Sequence, residues 1–157
     1  MSCHISSTLM YFVIGCILTS IACAQPAHLP VVSPTQTPRG ITLDGVLNAT
    51  EWQGAAKIDL KQNLTGKPME NPTEAFLMYD EQNLYVGFMC HEKEMDKVVS
   101  YMTTENGAVY LDDCIEVMIN PAEATSERSY VHFAANIAGI RYTENRRIQG
   151  KVADWKV

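Results

Sequence analysis

Beyond an apolar amino-terminal run, this sequence of 157 residues has little cysteine, a deficit of positive charge and no long helical pattern. Cys3, Cys16 and Cys23 lie in the first 24 residues, so only Cys90 and Cys114 remain, too few for a disulfide-framed scaffold. Alternation places Cys90 with Leu84, Val86 and Phe88 on the expected core face of one strand, and Cys114 with Glu116 on a polar face. Bridged Cβ atoms must come within about 4.5 Å, so a Cys90–Cys114 bond needs a bulge near Asp112–Asp113 to turn Cys114 over. Basic residues number 12 against 18 acidic ones, and none of either lies in residues 1–24, so the net charge of −6 sits wholly on the remainder. Such a surface repels phosphate backbones and anionic lipid, which argues against nucleic-acid partners. Internal repeats, a phosphate-binding loop, a nucleophile elbow and a dinucleotide fingerprint are all missing. His91 and His132 lack a second ligand at zinc spacing.

The run Tyr11–Ala24 closes in Ala22–Cys23–Ala24, a small-x-small pattern that reads as a signal peptide over residues 1–24. It is short for a membrane span, and no stop-transfer pattern follows. A secreted, periplasmic or extracellular location is therefore expected. Lipid anchoring through Cys23 or Cys16 is disfavoured: Ser20 fits poorly three places before Cys23, and Cys16 leaves little apolar run ahead of it. Pro26, Pro30, Pro34 and Pro38 mark residues 25–40 as an extended spacer. From residue 41 to 157 the pattern is of short strands and turns: Ala56–Leu60, Thr73–Asp80, Asn83–Glu92, Cys114–Asn120, Ser129–Ile137 and Ile140–Arg147. Asp80–Glu81–Gln82–Asn83 reads as a hairpin loop, and Asn48–Trp52 as a brief helical turn. The expected fold is all-β, an antiparallel β-sandwich of immunoglobulin-like or jelly-roll type, incomplete at its carboxyl end.

Function concentrates in Tyr110–Pro121. Ile115, Val117 and Ile119 alternate with Cys114, Glu116 and Met118, so Glu116 is expected on a polar strand face beside an aromatic and two further acids. That combination suits a polyhydroxylated ligand: Tyr110 can stack on the C–H face of a sugar ring, and Glu116 can accept strong hydroxyl hydrogen bonds. Asp112 and Asp113 suit calcium, or instead cap the strand entry. Val131, Phe133, Ala135 and Ile137 form the expected core face of a later strand, leaving Tyr130, His132, Ala134 and Asn136 opposite. If that strand neighbours the one bearing Glu116, their polar faces merge. Trp52 is expected as a packing anchor.

Four motifs in order resemble the carbohydrate-binding module family 9-like domains. They are Ile41–Thr42–Leu43–Asp44–Gly45–Val46–Leu47 with Glu51–Trp52; Ala75 to Val86; Tyr110 to Pro121; and Tyr130–Val131–His132–Phe133–Ala134–Ala135–Asn136 with Gly139. The resemblance implies a β-sandwich that binds an oligo- or polysaccharide, often beside a glycoside hydrolase domain. It places the aromatic platform on Tyr110, the motif acids on Asp113 and Glu116, and further contacts on His132 and Asn136. Tyr110 stands where the family has Trp, and Ala134 where an Arg can occur. The family's second aromatic lies on later strands, so the chain is expected to be a truncated module.

Two other functions compete. Asp113 and Glu116 could form a glycosidase acid–base pair, but three residues apart along a strand they point to opposite faces. A haem-binding DOMON-like redox domain would use Met and His as axial ligands, and the sequence has eight methionines.

Overall fold

The computed structural model describes residues 31–120, 129–146 and 154–157, and the leader expected at 1–24 lies outside them. Residues 32–157 form one compact unit. The fold is all-β and sandwich-like, with two largely antiparallel sheets and no α-helix among the described residues.

The first sheet contains β1 (Thr35–Gln36), β2 (Ala56–Asp59), β3 (Thr73–Tyr79) and β4 (Leu84–Cys90). β3 is central: β4 runs antiparallel along its whole length, from Thr73↔Cys90 to Tyr79↔Leu84. Its other edge is shared by antiparallel β2 and by β1, which pairs in parallel through Thr35↔Met78 and Gln36↔Tyr79. The spacer reading therefore gives way at Thr35, where the chain already belongs to the sheet and Thr37 is buried. Residues 41–43 form no strand, although Ile41 is buried.

The covered face of β4 differs from the expected one. Leu84 and Cys90 are exposed, whereas Gly87 is buried beneath Leu47 and Trp52. Apolar alternation ranks the two faces by their own side chains, but a glycine with an indole laid over it carries no hydrophobic signal of its own. The indole is held by local chemistry. Asn48 Oδ1 accepts the Glu51 N–H at 2.9 Å, Thr42 Oγ1 donates to Glu51 at 2.6 Å, and Trp52 N–H donates to the Asn48 carbonyl at 3.1 Å. This capped turn presents Trp52 to Phe76 with ring centroids 6.5 Å apart.

The β3–β4 loop is closed by Asp80. Its carboxylate accepts the N–H groups of Gln82 at 2.8 Å and Asn83 at 2.7 Å, and the Tyr85 hydroxyl at 2.6 Å. Led by the Tyr85 hydrogen bond, these contacts lower the Asp80 pKa from 3.8 to about 2. A depressed folded-state pKa means the stabilisation is present above pH 3.8 and is lost as the pH falls through about 2. A carboxyl chemical-shift titration should place Asp80 well below ordinary aspartates, and Tyr85→Phe should raise it. A native midpoint near 3.8 would refute the arrangement.

The second sheet has the order β5 (Cys114–Ile119), β6 (Tyr130–Asn136), β7 (Arg141–Arg146), all antiparallel. Cross-strand partners share a face. One face carries Glu116, His132, Ala134, Asn136, Tyr142 and Glu144; the other carries Val117, Phe133, Ala135 and Thr143. Phe133 packs against Trp155 at 5.4 Å, and the Trp155 indole N–H donates to Thr143 at 2.8 Å. The more deeply buried face is the polar one: His132, Ala134 and Asn136 are all buried, while Ile137, expected in the core, is exposed beyond the strand end. A single-turn 310 segment, Val109–Leu111, covers that polar face, with Val109 fully buried. Cys90 and Cys114 are free thiols on different sheets.

Candidate functional site

Strand parity alone brings Glu116 and His132 to one face, and pairing of β5 with β6 brings them into contact. Glu116 faces Ala134 in register and His132 faces Met118, one diagonal step away. His132 Nε2 lies 2.6 Å from Glu116 Oε2. A carboxylate can only accept, so the Nε2–H donates and the tautomer is settled by its partner. The imidazole is buried and the carboxylate is 40 % exposed, so Glu116 is anchored from below while keeping an open side.

An aromatic ladder rises from this pair. The His132 ring meets Tyr142 edge-on at 5.4 Å, and Tyr142 meets Tyr110 edge-on at 5.2 Å. Tyr110 stands on the 310 turn and remains 47 % exposed. Burial, assisted by Glu144, raises the Tyr142 pKa. This residue escaped the sequence reading. The register of the β6–β7 hairpin, which sets Tyr142 opposite Ala134, was the signal that could have found it.

The remaining expected site residues hold the frame. Asn136 is 5 % exposed and fully engaged. Its amide nitrogen donates to the Met102 carbonyl at 3.0 Å and to Asp112 Oδ2 at 2.9 Å. Its oxygen accepts the N–H groups of Ala138 at 3.1 Å and Ile140 at 3.0 Å. Asp112 also accepts the N–H groups of Tyr101 at 3.0 Å and Met102 at 2.9 Å, and the Asn136 hydrogen bond leads in lowering its pKa. Asp113 Oδ2 accepts the Val99 N–H at 2.7 Å, and its own N–H donates to the Val99 carbonyl at 2.9 Å. These two acids staple segment 99–102 to the entry of β5.

This geometry speaks against calcium at Asp112 and Asp113, because three of their oxygens face N–H donors whose positive ends would meet the cation. Among the described residues no group of three or more His, Cys, Asp or Glu side chains is placed to hold a metal. The Cys114 thiol, beside Glu116, is pushed up to about 11 by burial and then by the neighbouring carboxylates, so it stays protonated at neutral pH. An open polar groove of ≈ 400 Å³, lined by Arg39, Asp80 and Glu81 among others, borders the other sheet, and its Asp80 is already engaged in the hairpin loop. Exposed Tyr110, part-buried Tyr142 and half-open Glu116 together offer a ring platform and a charged acceptor, an arrangement suited to a hydroxyl-bearing ligand. No protein-family model, characterised protein or solved structure matches this chain.

Proposed function

We propose that this chain is a secreted, non-catalytic carbohydrate-binding module that works beside a glycoside hydrolase domain. The observation that carries the reading is the half-exposed Tyr110 ring, continuous through Tyr142 with the Glu116–His132 pair. A sugar's C–H face would lie against Tyr110, and its hydroxyls would donate to Glu116. His132 would hold Glu116 in place rather than touch the sugar, and Asn136, Asp112 and Asp113 would set the height of the platform. The family resemblance of the Tyr110–Pro121 and Tyr130–Gly139 motifs supports the same ligand class.

Calorimetric titration against a panel of soluble oligosaccharides tests this reading. At least one should bind, and Tyr110→Ala should weaken that binding by ~1–3 kcal/mol, as expected for loss of an aromatic anchor. Absence of heat across the whole panel would sink the proposal, as would a Tyr110→Ala protein that binds like the parent.

A further inference from the structure

Side chains alternate along β7, so Tyr142, Glu144 and Arg146 share one face. Register sets them opposite Ala134, His132 and Tyr130, which places all of them on the polar face that also carries Glu116. From Tyr142 to Arg146 this face runs for about 14 Å along the strand, longer than one sugar unit. Tyr110 stands at the Tyr142 end, with 5.2 Å between ring centroids. The face therefore continues well past the ring platform.

The far end is built of oriented groups. The Arg146 guanidinium lies 5.5 Å from the centre of the Tyr130 ring. Its Nε and Nη2 donate to Glu144 Oε1 at 3.1 and 2.8 Å, so one edge of the planar fork is held. Nη1 forms no hydrogen bond among the described residues. Arg146 is 50 % exposed and Glu144 31 %. Behind burial, the Glu144 charge is the next cause of the raised Tyr142 pKa, so Glu144 stands between the two ends. Because Arg146 offsets Glu144, this end carries no net charge of its own. Such a surface suits a neutral chain better than a strongly charged one.

Rings and polar groups follow one another along this track: Tyr110 and Tyr142, then Glu144, then Arg146 over Tyr130. A sugar chain alternates in a matching way between C–H faces, which stack, and hydroxyls, which donate and accept. We propose that the site extends along β7 to Arg146 and takes a run of several neutral sugar units rather than a single one. This extension rests on the carbohydrate-binding function proposed above, and adds the length and charge class of the ligand. Tyr110 stacks on a unit at one end, and Arg146 Nη1 donates to a hydroxyl of a unit at the other.

Titration of the full chain with β-1,4-linked gluco-, xylo- and manno-oligosaccharides of two to six units tests this extension, with galacturonic-acid and glucosamine oligomers as charged probes. Affinity for at least one neutral series should rise about tenfold from disaccharide to hexasaccharide. Arg146→Ala should weaken the hexasaccharide about tenfold more than the disaccharide, whereas Tyr110→Ala should weaken both. In the parent chain, the Arg146 Nε–H and Tyr130 ring resonances should shift with the hexasaccharide and not with the disaccharide. Binding that depends on Tyr110 but is flat in length overturns the extension alone. So does an Arg146→Ala chain that keeps the parent's length dependence, and so does tighter binding of either charged probe. Heat from none of the series retires carbohydrate binding itself, and the extension with it.

Discussion

Replacing Asn136 with alanine should cost about 3 kcal/mol of stability, because a buried side chain would lose four hydrogen bonds, one of them to a charged carboxylate. The loss is larger than the bonds themselves, since the Met102 carbonyl and Asp112 Oδ2 lose a donor while the N–H groups of Ala138 and Ile140 lose an acceptor. Thermal unfolding should shift down by roughly 10 °C for a domain of this size. Asn136→Asp should be at least as damaging, because it brings a second carboxylate against Asp112. If Asn136 instead contacted ligand and little else, alanine would leave the melting temperature unchanged and lower only sugar affinity. Differential scanning calorimetry with titration on the same sample separates the two roles.

A second large effect is expected at Trp52. Its ring covers Gly87 and meets Phe76 edge-on, so Trp52→Ala should destabilise by ~2–4 kcal/mol. The companion substitution is Gly87→Ala. A Cβ there would fall 2.5 Å from Leu47 Cδ2 and 2.9 Å from the Trp52 ring, an overlap that should cost ~1–3 kcal/mol in the parent. Removing the indole abolishes the 2.9 Å overlap and opens space into which Leu47 can yield from the 2.5 Å one, so the two substitutions should be partly non-additive in chemical denaturation. Strict additivity would show that Trp52 does not cover Gly87 in solution.

The strands were legible where alternation and turn chemistry agree. Asp80 and Asn83 bracket a loop whose hydrogen bonds are made by those same side chains, so the hairpin was readable to within two residues at the end of β4. Burial was not legible, because it depends on what lies over a strand. The 310 turn buries His132, Ala134 and Asn136, and a capped turn buries Gly87; neither cover leaves a mark on the strand it protects. At the site, parity placed Glu116 and His132 on one surface before their contact was known. Parity says nothing, however, of whether a polar side chain is spent internally. Asn136 and Glu116 look alike in an alternating strand, yet the first is fully engaged and the second is half open.

The 310 turn that carries Tyr110 is tied to the sheet by Asp112, Asp113, Asn136 and the buried Val109. None of those ties passes through the tyrosine ring, whose partner is Tyr142. The side chain at 110 is therefore not needed to hold the turn in place. Tryptophan, phenylalanine or an aliphatic side chain at 110 should leave the fold intact, which makes the exposed ring and the scaffold beneath it separable by substitution.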